Sequence, residues 1–177
     1  MYYLKYVIPK LTLLETSRLI IKPLSQTDNI EDYLSWMKDK SNIFISSVNQ
    51  NYTKADLYNF IRTKNLDSNA LLLGIFDKIT GKHIGNGKFE PINFDEKYAV
   101  FGILIGDVNF RGRGIVVEFI HACFHEILIP MNITKLVLSV SKLNRNAIRA
   151  YTKAGFVPPA QPVLKLDSMV LELELTS

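Results

Sequence analysis

The segment Arg111-Gly112-Arg113-Gly114-Ile115-Val116 leads from an apolar strand pattern at 98–105 into a helical pattern at 114–128. Glycines at the start of a helix let the backbone approach an anion closely, and the free N–H groups and the helix dipole there attract negative charge. The two arginines add positive charge. Taken alone, the segment fits a phosphate-binding loop and a basic turn equally well, because it is neither a GxGxxG nor a Walker A sequence.

The flanking patterns place this loop in a sheet. A second apolar strand pattern follows the helix at 135–141, and a strand-loop-helix-strand crossover makes its two strands parallel neighbours. Upstream, the runs at 69–77 and 82–92 indicate a β-hairpin that continues into 98–105 as an antiparallel meander. The sequence therefore predicts an α/β (α+β) fold with a mixed, mostly antiparallel central sheet and helices on both faces.

The remaining patterns complete one domain over 1–177, with 1–13 as an N-terminal extension. They predict a strand at 18–24, helices at 29–39 and from Thr53, a helix at 144–154 that Asn144 caps and Gly155 closes, and a last strand at 168–175.

Composition excludes several classes of protein. The chain has 177 residues, of which 47% are hydrophobic and 21% charged, as in a single soluble domain. The net charge of +4 is scattered and forms no basic block, which disfavours a nucleic-acid partner. No apolar run is long enough to cross a membrane, the start lacks a signal sequence, and one cysteine permits no internal disulfide. We expect a cytoplasmic protein with no membrane partner.

A second motif follows the strand at 135–141: Asn144, then Ala147 and Tyr151, closed by Gly155-Phe156. With both motifs in this order, the chain resembles the GNAT superfamily of N-acetyltransferases in sequence detail over 98–156.

The family's phosphate motif, Arg/Gln-x-x-Gly-x-Gly/Ala, falls on Arg111, Gly114 and Val116, and the branched Val116 departs from it. The N-terminal segment 14–19 and the helix segment Tyr33-Leu34-Ser35-Trp36-Met37 look like those of the RimJ/RimL branch.

The resemblance implies acetyl-CoA as co-substrate, direct acetyl transfer without an acyl-enzyme, and a parallel strand pair that splays at the cofactor cleft. Cys123 is then a packed core thiol, and not a nucleophile. Backbone groups near Ile103, Leu104 and Ile105 would pair with pantetheine as a strand does. The implied cofactor-binding residues are Ile103, Leu104, Ile105, Arg111, Gly112, Arg113, Gly114, Ile115, Val116, Asn144 and Tyr151.

Acetyl transfer needs two proton-transfer groups, a general acid and a general base. Tyr151 matches the family's general acid, since a phenol is protonated at neutral pH, although a half-buried helix tyrosine is the alternative. Many relatives carry a glutamate in the strand before the phosphate loop, but 99–102 contains no acid. The general base is therefore Glu90 or water, with Asp95 and Glu96 as the next carboxylates along the chain.

Other residues bear on the acceptor and on metals. Tyr33, Trp36 and Phe44 fit either an acceptor pocket or the core. His121 and His125 lie four apart, but no third ligand is evident, so we expect no metal. By analogy with relatives, the acceptor is a small-molecule amine such as an amino sugar. The alternatives are a protein N-terminus and a non-catalytic acyl-CoA-binding module, and dimers common in the family suggest a homodimer.

Overall fold

The computed structural model describes residues 13–25, 28, 30–39, 51–161 and 166–175. In these ranges the strands are β1 (Leu14–Glu15), β2 (Leu19–Pro23), β3 (Leu71–Asp77), β4 (His83–Asn93), β5 (Tyr98–Ile105), β6 (Lys135–Ser141) and β7 (Ser168–Glu174). The helices are α1 (Glu31–Lys38), α2 (Lys54–Leu66), α3 (Ile115–Cys123) and α4 (Arg145–Lys153).

The strands of the described sheet lie side by side in chain order from β1 to β7. Every neighbouring pair is antiparallel except β5 and β6, which are joined through α3 and run parallel. The predicted mixed sheet and its one parallel pair are confirmed.

Helices cover both faces of the sheet, and β3 shows why. Its alternate residues Leu71, Leu73 and Ile75 belong to one hydrophobic core, while Leu72 and Phe76 belong to another. Such alternation is the period of a strand that is buried on both sides. Side chains of α3 and α4 complete the first core, and those of α1 and α2 complete the second.

The sheet opens between β5 and β6. The two strands pair only at Tyr98–Lys135, Ala99–Leu136 and Val100–Val137. Beyond Val100 they diverge, although β5 continues to Ile105 and β6 to Ser141. The backbone at the end of β5 therefore faces a gap on its β6 side, as the resemblance implied.

Differences from the predicted elements lie mainly at their ends. The two-residue strand β1 was not predicted, because two residues carry no periodicity. The predicted helix at 114–128 is α-helical only to Cys123 and continues as a π-helical turn over Phe124–Leu128. Thr53 begins α2 as predicted, in a capping box with Asp56. None of the helices in the described ranges has the length and apolar character to cross a membrane.

Candidate active site

The gap between β5 and β6 opens into a cleft of about 750 Å³, bounded by the phosphate loop, α3 and α4. Of the predicted cofactor-binding residues, all but Arg113 line it. The structure therefore brings the loop motif and the Asn144–Phe156 motif to one cavity.

Two glycines shape the loop. Gly112 and Gly114 have φ values of +70° and +78°, a left-handed conformation that L side chains rarely adopt. A Cβ on Gly112 would meet no atom within 4 Å, so the space in front of the loop is open. Gly114 is the N-cap of α3 and provides no side-chain cap, which leaves the first N–H groups of that helix for an anion.

Val116, the departure from the family motif, sits in this first turn. Its half-buried side chain packs against the first core and lines the cleft. The branched side chain thus forms part of the cleft wall, and the backbone N–H groups of the turn remain at the start of α3.

The two loop arginines have different surroundings. Arg111 Nε donates to the Ile105 carbonyl at 2.8 Å and Nη2 to the Gly106 carbonyl at 3.1 Å, which ties the loop to the end of β5. Arg113 lies outside the cleft, with its guanidinium 5.8 Å from the ring centre of Phe110. The Arg113 carbonyl accepts from Arg18 Nη1 at 2.9 Å, and the contact of the Arg113 side chain with the cofactor stays a prediction.

Arg18 supports the phosphate loop, a contact that the sequence did not reveal. Its guanidinium is ion-paired with Glu118, which also accepts hydrogen bonds from Thr16 and the Arg18 backbone. Partial burial raises the pKa of Glu118, but hydrogen bonds from Thr16 and Arg18 outweigh it and hold the pKa below its usual value. Glu118 therefore fixes Arg18, and Arg18 fixes the loop.

Tyr151 lies at the inner wall of the cleft. Its ring contacts Phe101 edge-on, with 6.3 Å between ring centres, and Phe156 at 5.7 Å. Burial raises the pKa of the phenol to about 12, so Tyr151 is protonated at neutral pH and able to donate a proton. Asn144 caps α4 by accepting from the Ala147 N–H at 3.1 Å and also lines the cleft.

The candidate bases do not reach the cleft. Glu90 pairs with Lys64 of α2 and with Lys88 at 2.8 Å. Partial burial raises the pKa of Glu90, but the two lysines outweigh it and lower the pKa overall, which makes the carboxylate a weak base. Asp95 and Glu96 are exposed in the turn between β4 and β5, at the end of β5 remote from the loop.

The predicted acceptor residues are core residues where the structure describes them. Tyr33 and Trp36 are buried in the second core and pack on His83, with ring centres 6.2 and 5.1 Å away. A Cβ on Gly106 would lie 1.8 Å from the Trp36 indole, so this glycine makes room for the ring. This burial by aromatic packing favours the core alternative for Tyr33 and Trp36, and a contact of either ring with the acceptor stays a prediction. Phe44 lies outside the described residues.

Cys123, His121 and His125 lie outside the cleft. Cys123 is fully buried in the first core, as predicted, and burial raises its pKa well above the usual range. His121 and His125 are exposed along α3 and its π-helical continuation. Among the described residues, no three histidine, cysteine, aspartate or glutamate side chains cluster as metal ligands.

The cleft combines a splayed parallel pair, an uncapped helix start and a left-handed glycine loop, which together suit an elongated ligand with a phosphate group. The profile of the acetyltransferase (GNAT) domain matches residues 18–157, and the chain belongs to this family. It is an acetyl-CoA-dependent N-acetyltransferase. No curated protein sequence matches the chain significantly.

Solved structures share the fold at low sequence identity. The microcin C7 self-immunity acetyltransferase MccE, in complex with acetyl-CoA and AMP, is 20% identical with a TM-score of 0.77, over 90% of this chain and 93% of that one. Spermidine N-acetyltransferase from Vibrio cholerae, in complex with CoA and spermine, is 18% identical with a TM-score of 0.76, over 90% and 97%. RimL, the ribosomal L7/L12 α-N-protein acetyltransferase, in complex with coenzyme A, is 12% identical with a TM-score of 0.77, over 92% and 98%.

The residues of the cleft fit acetyl-CoA. The open space before Gly112 and the uncapped N–H groups after Gly114 suit a pyrophosphate. The unpaired side of β5 suits the amides of a pantetheine arm.

Proposed function

We propose that this protein transfers acetyl directly to the primary amine of a small molecule, and that an amino sugar is the first acceptor class to examine. The observation that carries the proposed chemistry is a protonated Tyr151 in the cleft where β5 and β6 diverge. The acceptor class rests on the analogy with relatives that act on sugar amines.

The loop, strand β5 and Tyr151 each have a separate role in the proposed transfer. Acetyl-CoA, when bound, supplies the thioester from which the acetyl group departs. The glycine loop and the start of α3 hold the phosphates, and Arg111 keeps the loop against the end of β5. Residues 103–105 of β5 line the cleft, so their backbone would orient the pantetheine arm, and an N–H of this strand would polarise the carbonyl that the amine attacks. Tyr151 donates its proton to the departing sulfur.

Water is the proposed proton acceptor for the amine. Glu90 is held by two lysines at a lowered pKa, and no carboxylate is among the described residues that line the cleft. Glu90→Gln is therefore expected to leave the pH–rate profile of acetyl transfer unchanged.

The second candidate acceptor is a protein N-terminus, which is the substrate that the name of RimL gives for that protein. Release of CoA, followed with a thiol reagent, separates the two candidates when amino sugars, polyamines and N-terminal peptides are compared. We expect saturable turnover with a small amine. Turnover confined to the peptides would overturn the small-molecule proposal, and acetyl-CoA binding without turnover on any acceptor would contradict direct transfer.

A further inference from the structure

Strand β4 has two unlike faces. One face packs in the first core through Ile84 and Phe89, with Gly87 beneath Phe119, where a Cβ would lie 2.1 Å from the ring. The other face, toward α1 and α2, carries the polar stripe, defined as His83, Asn86, Lys88 and Glu90. β4 is an interior strand between β3 and β5. Polar and charged side chains are uncommon on such a strand, because desolvating them is unfavourable unless they are paired.

The charged end of the polar stripe has an excess of positive charge. Lys88 and Lys64 share one carboxylate, that of Glu90, so two cations face one anion. The side chain of Lys88 is 38% exposed and that of Lys64 17%, so both are partly withdrawn from water. Asp28 and Asp32 act on the opposite end, at His83, and Asp28 is itself paired with Lys22. A further anion beside Lys88 would balance the charge.

The other end of the polar stripe has unmet hydrogen bonds. His83 Nε2 lies 2.9 Å from the Gly85 carbonyl and 2.9 Å from Asn86 Oδ1. Both partners are acceptors, so the proton resides on Nε2 and leaves Nδ1 as an acceptor. Among the described residues, neither His83 Nδ1 nor Asn86 Nδ2 has a hydrogen-bond partner, although both residues are only 5% exposed. Buried polar atoms are rarely left unpaired, so these two atoms indicate that a polar group or a water molecule belongs beside this end of the polar stripe.

Open space adjoins the polar stripe at the seam of the sheet. Gly102 of β5 is the register partner of Lys88, and a Cβ there would meet nothing within 4 Å. Gly102 also lies two residues beyond Val100, where pairing with β6 ends. A molecule over Gly102 would thus touch Lys88 and reach the gap between β5 and β6.

We infer that the polar stripe binds the acceptor, and that this acceptor is an amine bearing an anionic group, a carboxylate or a phosphate, which Lys88 recognises. The inference rests on the proposed function. It also excludes polycationic amines as preferred acceptors, because two lysines repel them at the surface that would bind them.

Matched acceptor pairs test the inference. The pairs are glucosamine 6-phosphate with glucosamine, and an amino acid with its carboxamide, with spermidine as the polycation. We expect kcat/KM to be about tenfold higher for the anionic member of at least one pair, and the better pair identifies the anion. Lys88→Gln should remove this preference by raising KM for the anionic member, so that the two members of the pair become equal. Lys135→Gln is the control, because Lys135 is also a strand lysine paired with glutamates and is 36% exposed.

Circular dichroism shows whether each variant folds. If Lys88→Gln does not fold, Lys64→Gln takes its place in the same test. Equal or better turnover of the neutral members or of spermidine, unchanged by the lysine substitutions, would overturn the inference. If no acceptor is turned over, calorimetric titration into CoA-saturated protein decides. Tighter binding of an anionic member then supports the inference while the proposed transfer fails, and equal or absent binding throughout overturns it.

Discussion

Arg18 and Glu118 are 100 positions apart in the chain and meet beneath the phosphate loop, where Arg18 Nε donates to Glu118 Oε2 at 2.7 Å. The same guanidinium donates through Nη1 to the Arg113 carbonyl at 2.9 Å. The loop is therefore attached at two points. Arg111 binds it to the end of β5, and Arg18, which precedes β2, binds the Arg113 carbonyl.

Glu118→Gln is expected to weaken cofactor binding without touching the cleft. The substitution removes the charge that holds Arg18, so the loop loses its lower support. We expect KM for acetyl-CoA to rise about fivefold, equivalent to about 1 kcal/mol, the upper end for a partly exposed ion pair. Steady-state kinetics at saturating acceptor measures the change. Glu126→Gln is the control, since Glu126 is exposed in the continuing helical turn, and an equal effect there would refute the role of Glu118.

The same carboxylate predicts an acid-sensitive part of the stability. The folded-state pKa of Glu118 lies below its ordinary value of 4.5, so its contribution is complete above pH 4.5 and is lost as the pH falls through the folded-state value. Urea unfolding of the wild type should show a free energy that declines below pH 4.5, and Glu118→Gln should flatten part of that decline. Parallel pH dependences for the two proteins would contradict this prediction.

Gly112→Ala separates backbone strain from cofactor binding. The φ of +70° makes alanine unfavourable by about 1 kcal/mol, and the new methyl group would project toward the space for the phosphates. We expect a small loss of stability together with a clear rise in KM for acetyl-CoA.

The chain offers a closely matched control in Gly81, which has a φ of +69° in the turn between β3 and β4 and likewise no atom within 4 Å of a Cβ. Gly81→Ala should lose similar stability by thermal unfolding and keep the KM of the wild type. A raised KM in both variants would show that the loop glycine has no special role.

Tyr151→Phe is expected to lower kcat about 100-fold, because the sulfur loses its proton donor. KM for acetyl-CoA should change little, since the ring and its packing on Phe101 remain. With the phenol pKa raised to about 12, the donor form persists below that pH, and no basic limb in the rate profile should arise from Tyr151 below about pH 10.

Tyr98→Phe, at the opposite end of β5, controls for loss of a tyrosine hydroxyl. A Tyr151→Phe enzyme with kcat within a factor of two of this control would assign Tyr151 to the core alone.

Much of the fold was predictable because local sequence patterns determine where its elements begin and end. β5 and β6 begin and end at the predicted residues, since each is an apolar run bounded by polar or glycine-rich turns. Asn144 and Gly155 mark the ends of α4 for the same local reason.

What escaped prediction depends on contacts between distant segments. The Arg18–Glu118 pair and the Lys64–Glu90 pair join elements that no periodicity relates. Glu90 looked like a free carboxylate in the sequence, and only the approach of α2 shows that its charge is neutralised. The sequence also did not predict that Trp36 packs on His83, or that the small Gly106 makes room for its indole ring.

The two-sided character of β4 has a consequence for how this enzyme can change over time. Residues on one side, such as Gly87, are fixed by ring contacts at van der Waals distance. Residues on the other side, such as Asn86 and Lys88, bond instead to polar side chains of the same strand. Substitutions of the polar side chains can therefore adapt the enzyme to a new acceptor without changing the face of β4 that packs in the first core. Acceptor specificity can evolve on this strand while the fold of the cofactor cleft is kept.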